Sequence, residues 1–329
     1  MAEMRLLDAI RQAMYEEMQR DARVMVLGED VGLKGGVFGA TDGFYAEFGE
    51  ARVLDTPLAE SLIVGAAVGM AANGLVPIAE IQFSDFIFPA FNQIVSEAAR
   101  MRYRSNGAFG CPITIRAPYG GGVEVHGGLY HSQSVEAYFA HVPGLKVVTP
   151  YTPYDAKGLL KSAIRDPDPV LFLEHKRLYR AIRGEVPEGE YTVPIGPAAV
   201  RRPGTTLSVF AYGQMLHDAL KAADQVAAEG IDAEVVDLRT LRPLDTETIL
   251  GSVRKTNKAM IVYEDNRFLG FGAEVSATIA EEAFDALDGP ILRVAGLDVP
   301  AVPFSDPLAA AFIPTAEKIA EAMRRLTAY

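Results

Sequence analysis

The sequence predicts an α/β fold made of two doubly wound domains, each with a largely parallel sheet between layers of helices. The length is the first observation, since 329 residues are more than one domain usually contains. The second is an alternation of segments with helical apolar spacing and short, almost wholly apolar runs, which is typical of parallel strands covered on both faces. The third is a stretch between Gly184 and Gly204 where prolines and glycines stop the alternation, as a linker would.

The first half of the chain alternates from its first helix onward. Apolar residues recur at the helical period from Leu6, and the apolar run over residues 24–27 predicts a buried strand. The further elements predicted in this half are a helix after Glu60, a strand over 76–81, a helix over 91–102, a strand over 113–115, a strand over 146–148, a helix over 154–165 and a strand over 170–173. We therefore expect a first domain over residues 1–185.

The same alternation resumes beyond a linker over residues 186–204. The predicted elements are a strand over 207–212, a helix to about residue 229, a strand over 233–238, a helix from about residue 245, a strand over 259–263, a helix from residue 273, a strand over 291–294 and a last helix after Pro314-Thr315. This pattern predicts a second, smaller α/β domain over residues 205–329.

The charge of the chain argues against several classes of partner. Its 43 acidic residues against 31 basic ones give a formal net charge of −12. Such a field repels nucleic-acid phosphates and anionic lipid headgroups, so we expect neither nucleic acid nor a membrane as a partner. The one apolar stretch of membrane-spanning length, residues 62–81, is interrupted by Asn73, Pro77 and Glu80.

The single cysteine and the first residues of the chain favour the cytoplasm. Cys111 has no second cysteine with which to form an internal disulfide or a cysteine-based metal cluster. Glu3, Asp8, Glu16 and Glu17 lie among the first apolar residues, which is not typical of a secretory or transit segment. We therefore expect a cytoplasmic protein.

Two common motifs point to other functions but lack their full patterns. Gly270-Phe271-Gly272 lies between a predicted strand and a predicted helix, as a dinucleotide loop would, yet Val275 takes the place of the third glycine. Ser132 follows His131, but the sequence has no G-x-S-x-G elbow and no H-E-x-x-H zinc motif, and His126 is left without an assigned role. A nicotinamide-dependent dehydrogenase and a non-catalytic assembly subunit remain as alternatives.

Glu60 is the most informative single residue, because it opens a very apolar predicted helix. An acid at this place can simply stabilise the positive end of the helix. Alternatively, aliphatic neighbours such as Leu58, Leu62 and Ile63 would disfavour the charged form of the carboxyl and let it share a proton with a ligand nitrogen. The glycines at positions 65 and 69 would let another backbone come close, inside the fold or across a subunit contact.

A series of motifs in order makes the chain similar to a known family. The motifs are Glu29-Asp30 after a strand, the run over 56–69, Glu80-Ile81-Gln82-Phe83 with Asp85-Phe86, His131-Ser132-Gln133-Ser134, and the runs over 143–148, 155–160 and 176–180. Together they resemble the beta subunit of thiamine-diphosphate-dependent 2-oxo acid dehydrogenases. The resemblance covers nearly the whole chain and implies a first domain of the pyrimidine-binding type and a transketolase-type C-terminal domain.

The resemblance implies a set of site residues. Glu60 and His131 match the catalytic positions of the family, and Leu58, Glu60, Gln82 and Phe86 match positions around the pyrimidine ring of the cofactor. Glu60 would hydrogen-bond a ring nitrogen and favour the tautomer that activates thiamine diphosphate, which then acts as an electron sink. His131 would orient the 2-oxo acid and assist proton transfer to a lipoyl thiolate.

Metals and partner proteins are also implied by the resemblance. Ile113, Ala163, Ile164, Asp166 and Asp168 match positions where relatives hold potassium through carbonyls and a carboxylate. Because the sequence contains no Gly-Asp-Gly, magnesium and the diphosphate are expected on a separate alpha subunit of an alpha2-beta2 heterotetramer. The expected function is decarboxylation of a 2-oxo acid, branched-chain rather than pyruvate or acetoin, with acyl transfer to a lipoyl group of a dihydrolipoyl acyltransferase core.

Overall fold

A computed structural model of the protein describes residues 1–122 and 127–329. The chain forms two compact units: the first contains Met1–Tyr119 and Tyr138–Ile195, and the second contains Gly120–Ala137 and Gly196–Tyr329. The division after residue 195 falls inside the linker that was predicted from the prolines. The predicted boundaries differ at residues 120–137, which were expected in the first domain.

Residues near both ends of the 120–137 segment are bound by distant groups of the second unit. The backbone N–H of Gly121 donates to the Glu264 carboxylate over 2.7 Å, and the hydroxyl of Tyr212 donates to Glu136 over 2.9 Å. Local apolar periodicity contains no information about such contacts, since the partners lie far apart in the sequence.

The first unit contains eight strands and most of the helices of the N-terminal half. Its strands are β1 (Ala2–Arg5), β2 (Val24–Gly28), β3 (Val53–Asp55), β4 (Val76–Glu80), β5 (Thr114–Tyr119), β6 (Lys146–Val148), β7 (Val170–His175) and β8 (Arg183–Val186). The helices up to the linker are α1 (Leu6–Arg20), α2 (Phe44–Phe48), α3 (Glu60–Ala72), α4 (Met101–Arg104), α5 (Glu136–Ala140), α6 (Pro153–Arg165) and α7 (Leu178–Ala181). Here α5 begins in the second unit and ends in the first.

Six strands of the first unit form a parallel sheet in the order β6-β7-β5-β4-β2-β3. Val26 in β2 pairs with Val53 on one side and with Ile78 on the other. The apolar sides of α1 and α6 pack with these strands into one buried core, and α3 packs against β2 and β4. Because the strands are parallel, their carboxyl ends meet at one edge, which is where ligands bind in such sheets.

The second unit is built around a smaller sheet. Its strands are β9 (Ala199–Arg202), β10 (Leu207–Ala211), β11 (Ala233–Asp237), β12 (Thr240–Arg242), β13 (Ala259–Asn266) and β14 (Leu292–Gly296), and its helices are α8 (Gly213–Ala227), α9 (Thr246–Thr256), α10 (Gly272–Glu282), α11 (Asp306–Phe312) and α12 (Ala316–Thr327). The sheet order is β14-β13-β10-β11-β9, with β9 antiparallel to β11 and the other pairs parallel. The predicted α/β fold class is thereby confirmed.

The helix predicted over residues 91–102 has a different form. Gln93–Ala98 is a π-helix in which the N–H of Ala99 donates to the carbonyl of Ile94, and the short α4 follows it. Apolar spacing cannot distinguish this wider turn from an α-helix, because both bury nearly the same side chains. No helix within residues 1–122 and 127–329 has the length and apolarity needed to cross a bilayer.

Candidate functional site

Glu60 is the first residue of α3, which follows β3 at the carboxyl edge of the first sheet. The residue is only 8% exposed. Among the described residues its carboxyl makes no hydrogen bond and no ion pair, and the helix has no side-chain N-cap. Glu60 therefore does not serve as a hydrogen-bonding cap, and its carboxyl is available to an added group.

A second buried acid lies beside Glu60. Glu29 directly follows β2, and burial together with the negative charges of Glu60 and Asp30 raises the pKa of its carboxyl. The side-chain amide of Gln82 donates to the backbone carbonyl of Glu29 over 3.4 Å. The structure thus brings Glu29, Glu60 and Gln82 together, whereas the sequence indicated Glu29 only as part of a motif.

The aromatic side of the site is formed by residues that follow β4. Phe86 ends a 3₁₀ turn over Ser84–Phe86 and is half-buried. Its ring lies edge-on to Phe83 with 5.6 Å between centroids, and Phe83 meets Phe38 at 5.5 Å. A ring held in this way is a suitable stacking partner for a flat heterocycle.

The aliphatic surroundings expected for Glu60 are only partly present in this chain. Ile63 is buried, but Leu58 is 79% and Leu62 48% exposed. Of these three residues, only Ile63 is buried in the chain alone, and an aliphatic environment around the carboxyl stays a prediction. Leu58 and Leu62 project from the start of α3 instead of packing into the core.

The two glycines of α3 both leave room for a side chain. A Cβ atom built on Gly69 meets nothing within 4 Å, and one built on Gly65 meets only the Gln93 side chain at 3.6 Å, among the residues that the structure describes. These glycines do not serve close packing inside the first unit. One surface is formed by Leu58, just before α3, and by Leu62, Gly65 and Gly69 within the helix. It is exposed except at Gly65, which is half-buried, and we call it the α3 surface.

His131 lies in the second unit, and Glu60 lies in the first. His131 follows the 3₁₀ turn Gly128–Tyr130 and is half-buried. The neighbouring Ser132 is fully buried and its hydroxyl accepts a hydrogen bond from the N–H of Gly127 over 2.7 Å, so it holds the turn and is not placed as a nucleophile. His126 lies outside the described residues.

Glu136, five residues after His131, was not anticipated. It is fully buried, and besides the bond from Tyr212 its second carboxylate oxygen has no partner among the described residues. Burial and the negative charge of Asp265 raise the pKa of Glu136 to about 8. No local sequence pattern indicates the burial or the raised pKa of Glu136, because the surrounding groups come from β13 and from the residue after β10.

The five residues matched to a potassium site lie around the end of α6. The Asp166 carboxylate pairs with Lys146 over 2.6 Å, and the Asp168 carboxylate pairs with Arg102 over 2.6 Å. The carbonyls of Ile113 and Ala163 each accept one backbone N–H, which leaves a second lone pair on each oxygen. Ile164 is buried beside them. A cation here would therefore depend on backbone carbonyls, which suit potassium, and not on the paired carboxylates.

The glycines of the suspected dinucleotide loop have a different role. A Cβ on Gly270 would lie 2.5 Å, and one on Gly272 2.2 Å, from the ring of Tyr263. The absence of side chains at both positions is thus explained by packing on Tyr263, with no need for a phosphate. This weakens the nicotinamide alternative.

Comparison with known families matches both halves of the chain. The family described as "Transketolase, pyrimidine binding domain" matches residues 2–182. The family described as "Transketolase, C-terminal domain" matches residues 196–319. The first match ends before the predicted linker over residues 186–204, and the second begins inside it.

Individual relatives match over the full length. The 2-oxoisovalerate dehydrogenase subunit beta of Bacillus subtilis (strain 168) is 57% identical over 329 residues, 100% of each chain. The pyruvate dehydrogenase E1 component subunit beta of the same strain is 51% identical over 326 residues, 99% of each chain. A solved structure described as "Split gene transketolase, inactive beta4 tetramer" superposes with a TM-score of 0.79 at 25% identity and covers 98% of each chain.

Proposed function

The chain belongs to the family of beta subunits of 2-oxo acid dehydrogenases, and on that premise we propose that it forms the pyrimidine-binding half of a thiamine diphosphate site completed by an alpha subunit. The observation that carries the proposal is the state of Glu60, a buried carboxyl at the carboxyl edge of the sheet with no basic partner among the described residues. A carboxylate fixed by an arginine could not share a proton with a ring nitrogen.

Glu60, Gln82 and Phe86 would hold the pyrimidine ring. Bound thiamine diphosphate supplies the electron sink needed to decarboxylate a 2-oxo acid. Glu60 would hold a proton toward the ring nitrogen, Phe86 would offer an aromatic face, and Gln82 would offer an amide. Leu58 would be covered only when the cofactor and the partner subunit are in place.

The α3 surface is an argument for an obligatory partner subunit. Exposed leucines beside open glycines allow a second backbone to approach closely and bury apolar area. We expect the alpha subunit of an alpha2-beta2 heterotetramer to bind here and to contribute the magnesium and diphosphate half. Within the described residues of this chain, no group of three or more His, Cys, Asp or Glu side chains is placed to hold a metal ion.

The proposed substrate is a branched-chain 2-oxo acid, with pyruvate or acetoin as the alternative. The relative named for 2-oxoisovalerate shares more residues with the chain than the relative named for pyruvate. His131 would orient the substrate and assist acyl transfer to a lipoyl group on a dihydrolipoyl acyltransferase core. Potassium at the end of α6 and a cytoplasmic location stay predictions.

The replacement Glu60→Gln tests the catalytic role. It preserves shape but cannot exchange a proton, so we expect the variant to assemble with the alpha subunit and to lose roughly a hundredfold or more of its decarboxylation rate. Decarboxylation and assembly are measured on the purified complex, with exposed Glu47→Gln as the matched control. Unchanged turnover in the Glu60 variant would leave the alternative of a non-catalytic assembly subunit.

A further inference from the structure

A group of buried polar side chains links three neighbouring strands of the first sheet. We call it the Arg116 cluster: Arg116 in β5, Glu80 in β4, Glu174 in β7 and Tyr179 in α7. The Arg116 guanidinium donates to Glu174 through Nε over 2.7 Å and through Nη2 over 2.8 Å, and to Glu80 through Nη1 over 2.5 Å. The Tyr179 hydroxyl donates to Glu174 over 2.5 Å.

The buried charges of the Arg116 cluster are not expected to add much to the stability of the fold. All four side chains are buried, and two carboxyls share a single guanidinium. Burial raises the pKa of Glu80 against the opposing effect of Arg116. Apolar replacements of buried ion pairs are often as stable as the pairs themselves, so a buried cluster of this kind points to a role in fixing positions.

Glu80 connects the cluster with the backbone of the candidate site. It is the last residue of β4, two residues before Gln82. A Cβ atom on Gly28 would lie 2.8 Å from the Glu80 carbonyl, and one on Gly36 would lie 3.3 Å from its carboxylate. The end of β4 is therefore packed directly against the loop that begins with Glu29.

Tyr179 connects the cluster with the aromatic side of the site. Its ring lies 5.2 Å from Phe38, Phe38 lies 5.5 Å from Phe83, and Phe83 lies 5.6 Å from Phe86, all between centroids. The Lys176 ammonium lies 5.7 Å from the Phe83 centroid. Close-packed rings cannot shift one at a time, so a displacement of Tyr179 reaches Phe86.

We propose that Arg116 and Tyr179 are positioning residues for the pyrimidine end of the site: through Glu80, Arg116 fixes the backbone that presents Gln82, and through Phe38 and Phe83, Tyr179 fixes the ring of Phe86. Both residues are buried within the cluster and would act through these neighbours. The inference rests on the proposed function, since Gln82 and Phe86 have this role only if a thiamine pyrimidine binds between them and Glu60.

The test compares two substitutions of one residue in the complex with the alpha subunit. Tyr179→Phe retains the ring against Phe38, whereas Tyr179→Leu removes the ring. Titration calorimetry with thiamine diphosphate and magnesium gives the Kd of each complex. We expect about a tenfold weaker Kd for Tyr179→Leu and a change below about threefold for Tyr179→Phe.

Leu159→Ala is the control for a general loss of core packing. Leu159 is fully buried on α6, in the core formed with α1. It should lower the melting temperature at least as much as Tyr179→Leu but leave the Kd for thiamine diphosphate unchanged. A Kd in Tyr179→Leu no weaker than in Leu159→Ala would overturn the positioning role of Tyr179 while leaving the proposed function intact. Absence of thiamine diphosphate binding by the unsubstituted complex would overturn both.

Discussion

Glu29, Glu60 and Glu136 are buried carboxyls whose roles depend on what surrounds each one. Glu60 could be predicted, because an acid at the start of a long apolar helix stands out in the sequence. Glu29 and Glu136 could not be singled out in this way. Burial, and then the negative charges of Glu60 and Asp265, raise their pKa values, and only the folded chain provides both.

We expect Glu136 to make the stability of the second unit depend on pH. Its pKa is raised in the folded chain, so the stabilisation from its proton is complete below the ordinary carboxyl range and is lost as the pH rises through about 8. Glu136→Gln remains neutral at every pH. As the pH rises from about 6 to about 9, the free energy of unfolding of the variant should therefore fall by about 1–3 kcal/mol less than that of the unsubstituted chain.

Thermal unfolding at a series of pH values measures this difference. Glu281→Gln, at an exposed position on α10, serves as the control and should follow the unsubstituted chain. Equal slopes for Glu136→Gln and the unsubstituted chain would show that Glu136 is already charged in the folded state at neutral pH.

Among the elements, the buried strands were the most predictable. Runs such as residues 24–27 and 170–173 are apolar throughout because both faces of the parallel sheet are covered. The antiparallel pair β1 and β8 was missed, since its sequences AEMR and RGEV are short, charged and largely exposed. Their pairing depends on the position of α1 and not on a pattern of their own.

The α3 surface leads to a prediction about how one helix contributes to assembly. Gly69→Leu places a good helix former where a Cβ meets nothing within 4 Å, so the melting temperature of the isolated chain should stay equal or rise. Assembly with the alpha subunit should weaken by about tenfold or more, because the added side chain keeps the second backbone away. Analytical ultracentrifugation measures the assembly.

Gly251→Leu is a matched control for this substitution. Gly251 lies within α9, and a Cβ there also meets nothing within 4 Å. If both variants assemble equally well, the α3 surface is not the contact with the alpha subunit.

For the whole molecule, the fold class and the family could be predicted, but the contacts that group Gly120–Ala137 with the second unit could not. The ordered motifs extend over most of the chain, so family and fold follow from the sequence. The affiliation of residues 120–137 depends on contacts such as that of the Val302 N–H with the Gln133 amide oxygen, 169 residues apart. Such contacts exist only after the second unit has folded.

If the cofactor site is divided between two subunits, as proposed, a thermal shift should need both of them. A ligand stabilises a protein by binding its folded state, by about 2.7 kcal/mol at a concentration a hundredfold above Kd. Thiamine diphosphate with magnesium should therefore raise the melting temperature of the complex and leave that of the isolated chain unchanged. Tight binding by the isolated chain would contradict a site divided between two polypeptides.

The grouping of Gly120–Ala137 with the second unit limits how the polypeptide can be cut. A fragment that starts at residue 196 would lack the partners that Glu264 and Tyr212 hold in the intact chain, and it would expose those polar groups to water. The remaining fragment, residues 1–195, would contain Gly121 and Glu136 without the groups that bind them in the intact chain. Cleavage after residue 195 would therefore yield two pieces that need each other to fold, and a truncated gene encoding either piece should produce insoluble protein.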